Sequence, residues 1–122
     1  MIQDNELLYR AVKKTDPNSF INDRPCAALF IDKNGVSVDR DGGRDEKEII
    51  DSFIKRFNRN GRTDNYIATV KILAKECRDV DCYPIPRKTN NNKNHAEIWD
   101  SESVVEIGLL KAIKLAELCK VV

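Results

Sequence analysis

Arg24-Pro25-Cys26-Ala27-Ala28-Leu29-Phe30-Ile31-Asp32-Lys33-Asn34-Gly35-Val36-Ser37-Val38-Asp39-Arg40 is the stretch on which the fold turns. Two apolar runs, 26–31 and 35–39, flank Asp32-Lys33-Asn34-Gly35. An Asn-Gly pair between apolar runs signals a hairpin, because both residues accept a positive φ at little cost. The stretch predicts an antiparallel hairpin at the centre of a small sheet. Its second strand presents Ser37 among charged neighbours. A two-stranded hairpin is marginal in water, so the remaining chain must supply further strands and covering helices.

Downstream, residues 45–58 give the clearest helix. Ile49, Ile50, Phe53, Ile54 and Phe57 form one apolar face, with Ile50, Phe53 and Phe57 expected against the sheet. Asp45 with Glu48 three residues later reads as a capping box. Acids in the first turn and Lys55 and Arg56 in the last complement the helix dipole. Asn58-Arg59-Asn60-Gly61 is a stop signal.

Residues 66–78 fit either one helix or a strand, 66–70, feeding a short helix over 72–78. The second reading supplies the strand the hairpin needs. Residues 80–86 read as an edge strand, since Pro84 and Pro86 cannot donate to a central ladder. A polar loop, 87–94, precedes the alternating strand His95-Ala96-Glu97-Ile98-Trp99. The last helix is expected over 102–119, with Ser103 and Glu106 as a second capping box and an unusually wide apolar face. Near the N-terminus, Leu7, Leu8, Ala11 and Val12 fit a helical stripe or a strand, ended by Asp16-Pro17-Asn18-Ser19. The sum is one α+β domain over 1–122: a small, mostly antiparallel sheet with a central hairpin, packed by two or three helices.

A charged fraction of 34% with a net charge of +1 provides no global field for nucleic acid or anionic lipid. The apolar run 104–122 is interrupted by Glu106, Lys111, Lys114, Glu117 and Lys120, so no membrane span is expected. The acidic start, Met1 to Glu6, has no apolar signal core, which makes the cytoplasm the expected compartment. Cys26, Cys77, Cys82 and Cys119 are then expected to be reduced. A zinc site from Cys77, Cys82, His95 and either Cys26 or Cys119 lacks the usual tight ligand spacing, and no metal is expected.

The chemistry-bearing residues are few. His95 is the only histidine, and Asp41-Gly42-Gly43 lacks the Lys-Ser/Thr of a phosphate loop. His95-Ala96-Glu97 is similar to the His-Ala-Glu of zinc cytidine deaminases, but no Pro-Cys-x-x-Cys follows it. Lys55, Arg56, Arg59 and Arg62 form one basic cluster, and Arg87, Lys88 and Lys93 another. Adjacent in space, the two would contact phosphates, giving weak nucleic-acid binding without interleaved aromatics to stack on bases. The order Arg10, Ser37, Glu97 resembles the Arg–Ser–Glu arrangement of some ADP-ribosyltransferases. That resemblance implies NAD as the only cofactor to consider. Arg10 would hold a phosphate, Ser37 would orient the nicotinamide ribose, and Glu97 would stabilise an oxocarbenium-like transition state.

Four blocks carry a broader resemblance. They are Leu8-Tyr9-Arg10; Arg24-Pro25 followed by Ala27-Ala28 and Phe30; Gly35-Val36-Ser37-Val38-Asp39; and Asn94-His95-Ala96-Glu97-Ile98 before a terminal helix. Together, over residues 7–119, they resemble a family of short bacterial proteins with no assigned activity. The resemblance implies a compact bacterial domain in which Arg10, Arg24, Ser37, Asp39 and His95 converge on one site. With no complete catalytic constellation, the expectation is a small cytoplasmic binding or adaptor domain, an accessory component of a multiprotein system. It would act through a protein partner or self-association. The alternatives are an ADP-ribosyltransferase-like enzyme and a weak nucleic-acid binder.

Overall fold

A computed structural model describes residues 1–59 and 64–122. The strands are β1 (Leu7–Lys13), β2 (Phe20–Ile21), β3 (Arg24–Pro25), β4 (Val36–Arg40), β5 (Tyr66–Leu73), β6 (Tyr83–Pro86), β7 (His95–Trp99) and β8 (Lys120–Val121). The helices are α1 (Glu46–Phe57), α2 (Ala74–Asp79) and α3 (Leu109–Leu118), with a 3-10 turn at Ala27–Phe30. Six strands form one sheet in the order β6-β7-β4-β1-β5-β8. Every neighbouring pair is antiparallel. The α+β class and the helix-packed antiparallel sheet are as expected. At its centre stands the antiparallel pair β1–β4.

The 26–31/35–39 hairpin is not what forms that centre. Residues 27–30 make the 3-10 turn instead, and β4 pairs with β1 and β7. Leu29 and Phe30 are adjacent in sequence and both buried in the same core cluster. A strand would send them to opposite faces, whereas a helical turn directs both inward. Asp32–Gly35 does turn, through Gly35 N–H to the Asp32 carbonyl and Asn34 N–H to the Asp32 side chain, but it joins the 3-10 turn to β4. A true two-residue hairpin lies earlier, at β2–β3, where Asn22 and Asp23 both take positive φ.

β1 resolves its ambiguity as a strand. Its apolar residues look helical because both of its faces are covered. Leu8 and Val12 join the main core, while Tyr9 and Ala11 meet α1. The main core fills the first face of the sheet, where Val36, Val38, Val70, Ile72, Ala96 and Ile98 meet residues of the 3-10 turn, α2 and α3.

The second face is covered in part by α1. Its predicted capping box is present, with Glu48 N–H donating to Asp45 and Asp45 N–H to Glu48. Ile49 and Phe53 are buried against Tyr9 and Ala11, and Phe57 packs at the margin. Ile49, not Ile50, is the buried isoleucine of this face, and Ile50 is only half-buried.

The 66–78 segment is a strand feeding a short helix, and 83–86 is an edge strand, as expected. α3 is shorter than the expected 102–119. Residues 101–108 are irregular, with Ile107 buried. Gly108 interrupts the helical run. Its N–H donates to Asp100 Oδ1 at 2.9 Å, while Ser101 Oγ accepts from Val104 N–H, so the Ser103–Glu106 box is not used. The apolar C-terminal run ends as β8 on β5 rather than as helix. Among the described residues no helix is long and apolar enough to cross a membrane.

Candidate functional site

Alternation along a strand decides which side chains can meet. On β4, Val36 and Val38 enter the main core, so Ser37 and Asp39 face the other side. On β7, Ala96 and Ile98 enter the core, so His95, Glu97 and Trp99 face that same side. The β4–β7 register sets Ser37 opposite Glu97 and Asp39 opposite His95. α1 lies over β1 and β5; among the described residues no helix covers the β4–β7–β6 half of this face, and Ser37 is exposed there.

Asp39 is the anchor of this half-face. It is buried to 2% exposure and carries four donors. Oδ2 accepts from Arg44 and from Arg56, each at 3.2 Å. Oδ1 accepts from Asn92 at 3.0 Å and from the second Arg56 nitrogen at 3.4 Å. A buried carboxylate is tolerated only when so paired. The network ties the end of α1, the start of α1 and the 87–94 loop to one atom group.

Beside Asp39, the His95 ring bridges two partners. Nδ1 lies 2.7 Å from the Arg87 carbonyl, and Nε2 lies 3.2 Å from Ser37 Oγ. A carbonyl can only accept, so Nδ1 holds the proton. In the neutral ring Nε2 is then an acceptor facing the Ser37 hydroxyl. Two residues on, Glu97 Oε1 accepts from Trp99 Nε1 at 2.8 Å and lies 3.9 Å from Arg87. Arg87 also stands over the Trp99 ring, and Tyr83 pairs with Trp99 on the edge strand. Gly35 makes room for this: with φ +97, a Cβ there would lie 2.6 Å from Glu97 Oε1.

The expected site residues divide. Ser37, Asp39, His95 and Glu97 share this face. Arg10 does not: alternation sends it with Leu8 and Val12 to the first face. There Nε donates to the Leu29 carbonyl at 2.8 Å and another nitrogen to the Ser37 carbonyl at 2.7 Å. Burial pushes its pKa down from the usual arginine value, against the pull of Asp16 and Asp32. It staples the 3-10 turn to β4. The Arg10–Ser37–Glu97 cleft expected for NAD is therefore not assembled, because a sheet separates the arginine from the other two. Arg24 also lies apart, lining a depression of about 510 Å³ with Cys26, Ala27 and Ile113 beside α3. The convergence of Arg10, Arg24, Ser37, Asp39 and His95 on one site is corrected to Ser37, Asp39 and His95.

Of the basic clusters, Arg56 is tied to Asp39, while Lys55, Arg59, Arg87, Lys88 and Lys93 are exposed. Arg62 lies outside the described residues. Arg56 and Asn92 meet on Asp39, so one residue of the first cluster and the 87–94 loop border this half-face, with Arg87, Tyr83 and Trp99 at its far end, while Lys88 and Lys93 line a depression with Glu6 and Arg40. Sequence spacing alone did not reveal that Ser37 and His95 meet.

The four thiols are free. Cys77, Cys82 and Cys119 belong to the main core, on the face opposite His95. Burial pushes Cys82 up to about 11 and Cys119 up to about 12. Among the described residues no group of three or more His, Cys, Asp or Glu side chains is placed to hold a metal ion.

No protein-family model, no curated protein and no solved structure matches the chain.

Proposed function

We propose that the protein is a small cytoplasmic bacterial binding domain, an accessory component of a multiprotein assembly, which docks a protein partner through the outer face of α3. One observation carries the reading. The helix buries Ala112, Leu115 and Ala116 in the main core, yet leaves Leu109, Leu110 and Ile113 exposed to 60%, 76% and 38%. These three stand at i, i+1 and i+4, so they form one patch. Burying such a side chain fully is worth about 1.5–3 kcal/mol, which solvent exposure forgoes. The depression beside Ile113 extends the patch, and Arg24 and Lys114 give it a charged margin that sets register. The fitting partner presents an apolar ridge.

Lys111 takes no part in docking. Its ammonium donates to the Asp81 and Asp100 carbonyls and to Asp100 Oδ2, holding the 101–108 segment. Leu110→Asp is expected to abolish copurification of the partner, or self-association, with a change in melting temperature of no more than a few degrees. Lys114→Glu should weaken the complex in the same way. A Leu110→Asp protein that retains everything the native chain retains would end this reading. So would a native chain that copurifies nothing and stays monomeric.

A second reading rests on Arg87, Tyr83 and Trp99 together at the half-face, with Lys88 and Lys93 exposed on the adjoining loop. This arrangement suits weak, sequence-indifferent contact with single-stranded nucleic acid. At ~150 mM salt the expected dissociation constant is no tighter than about 1 μM, the range of phosphate-only contacts. Lys88→Glu with Lys93→Glu should remove it. Sub-micromolar affinity for an oligonucleotide would put this reading above docking.

A further inference from the structure

From the Ser37–His95 geometry we infer that Ser37 is a nucleophilic serine, activated by His95, which takes an acyl group from activated donors such as aryl esters or thioesters. The two parts an activated serine needs are a base within hydrogen-bond reach and a group that orients the base. Both are present, at 3.2 Å and 2.7 Å. The orienting group is the Arg87 main-chain carbonyl. It fixes the tautomer as a carboxylate would, leaving the Nε2 lone pair toward the hydroxyl.

The surroundings define the donor class. β4 pairs with β7 over Val36–Asp39 but with β1 only at Asp39 and Arg40, and the Ser37 carbonyl accepts from Arg10; the described hydrogen bonds bring no pair of donors beside Ser37 Oγ to stabilise a developing oxyanion. Without that stabilisation, only donors with a good leaving group are in reach, and amides are not. Glu97, directly opposite Ser37, is drawn toward Trp99 Nε1 and Arg87. Asp39, opposite His95, is neutralised by Arg44 and Arg56. Neither carboxylate competes for the imidazole among the described hydrogen bonds. Ser37 is exposed, on the half of the sheet face that no helix among the described residues covers, so a donor can approach.

In the step itself Ser37 Oγ forms a bond to the acyl carbon while its proton passes to His95 Nε2. The carbon–oxygen or carbon–sulfur bond of the donor breaks, and the leaving group departs with that proton. Water then attacks the acyl carbon and gives a proton to His95 Nε2; the acyl–Oγ bond breaks, Nε2 returns that proton to Ser37 Oγ, and the carboxylic acid leaves. No oxidant or reductant is involved. This chemistry is separate from α3, which lies on the other face of the sheet.

The test uses the full chain with p-nitrophenyl acetate and with a fluorophosphonate probe, located by peptide mass spectrometry. The expected result is single labelling at Ser37, none in Ser37→Ala, and a fall of about a hundredfold or more in rate for His95→Ala, the size of a lost general base. Added imidazole should restore part of the His95→Ala rate, which a purely structural role for His95 would not allow. Both side chains lie at the surface, and matching melting curves will confirm that the variants fold. Absence of labelling at Ser37 would overturn the inference. Equal labelling rates in the native and His95→Ala chains would do the same.

Discussion

Phe53→Ala is expected to lower the stability of the folded chain by about 3–5 kcal/mol, the range for truncating a buried phenylalanine. Phe53 is 2% exposed and sits between Tyr9, Ala11 and Ile49, with its ring 6.1 Å from that of Phe57. It is the largest fully buried side chain joining α1 to the sheet, so its loss leaves a cavity that its neighbours only partly fill. Domains of this size have about 5–15 kcal/mol in total, so the change is a large share of the whole. Urea unfolding followed by circular dichroism measures it. A loss below about 1 kcal/mol would mean that the face is exposed and the α1 packing described here is wrong.

Asp39→Ala is expected to cost about 3 kcal/mol, the lower end for removing one partner of a buried ion pair. The lower end applies because Arg44 and Arg56 retain side-chain exposures of 21% and 31% and can recover water. The substitution also removes the acceptor that holds Asn92 and the 87–94 loop. The double variant with Arg56→Met should cost less than the sum of the two singles, since the pair is coupled. The same unfolding measurement checks both points, and strictly additive losses would mean that Arg56 and Asp39 do not act together.

Local signals were the legible ones. The α1 helix announced itself because Asp45, Glu48 and its apolar face lie within fourteen consecutive positions, 45–58, and need no partner to be recognised. Pro84 and Pro86 marked an edge strand for a covalent reason, the missing N–H. The alternation of 95–99 marked β7 because one face is buried and the other open.

What failed needed distant partners. Leu29-Phe30 reads as strand until the core that takes both side chains is known. Arg10 reads as a ligand-binding residue until the carbonyls it serves, 19 and 27 residues away, are known. α3 reads as longer than it is, because nothing local reveals that Asp100 captures the Gly108 N–H. The Ser37–His95 contact spans 58 residues and exists only because β4 pairs with β7 in one register. A slip of β7 by one residue would carry His95 to the core face, away from Ser37.

The outer face of α3 is the centre of this account, and methyl NMR addresses it directly. The native chain, with labelled leucine and isoleucine methyls, would be titrated with the partner that copurifies with it, or concentrated if it self-associates. Shifts and broadening are expected at Leu109, Leu110 and Ile113, with Ile49 and Ile98 undisturbed. Changes centred instead on the β4–β7–β6 half-face, with the α3 methyls unmoved, would contradict docking through α3.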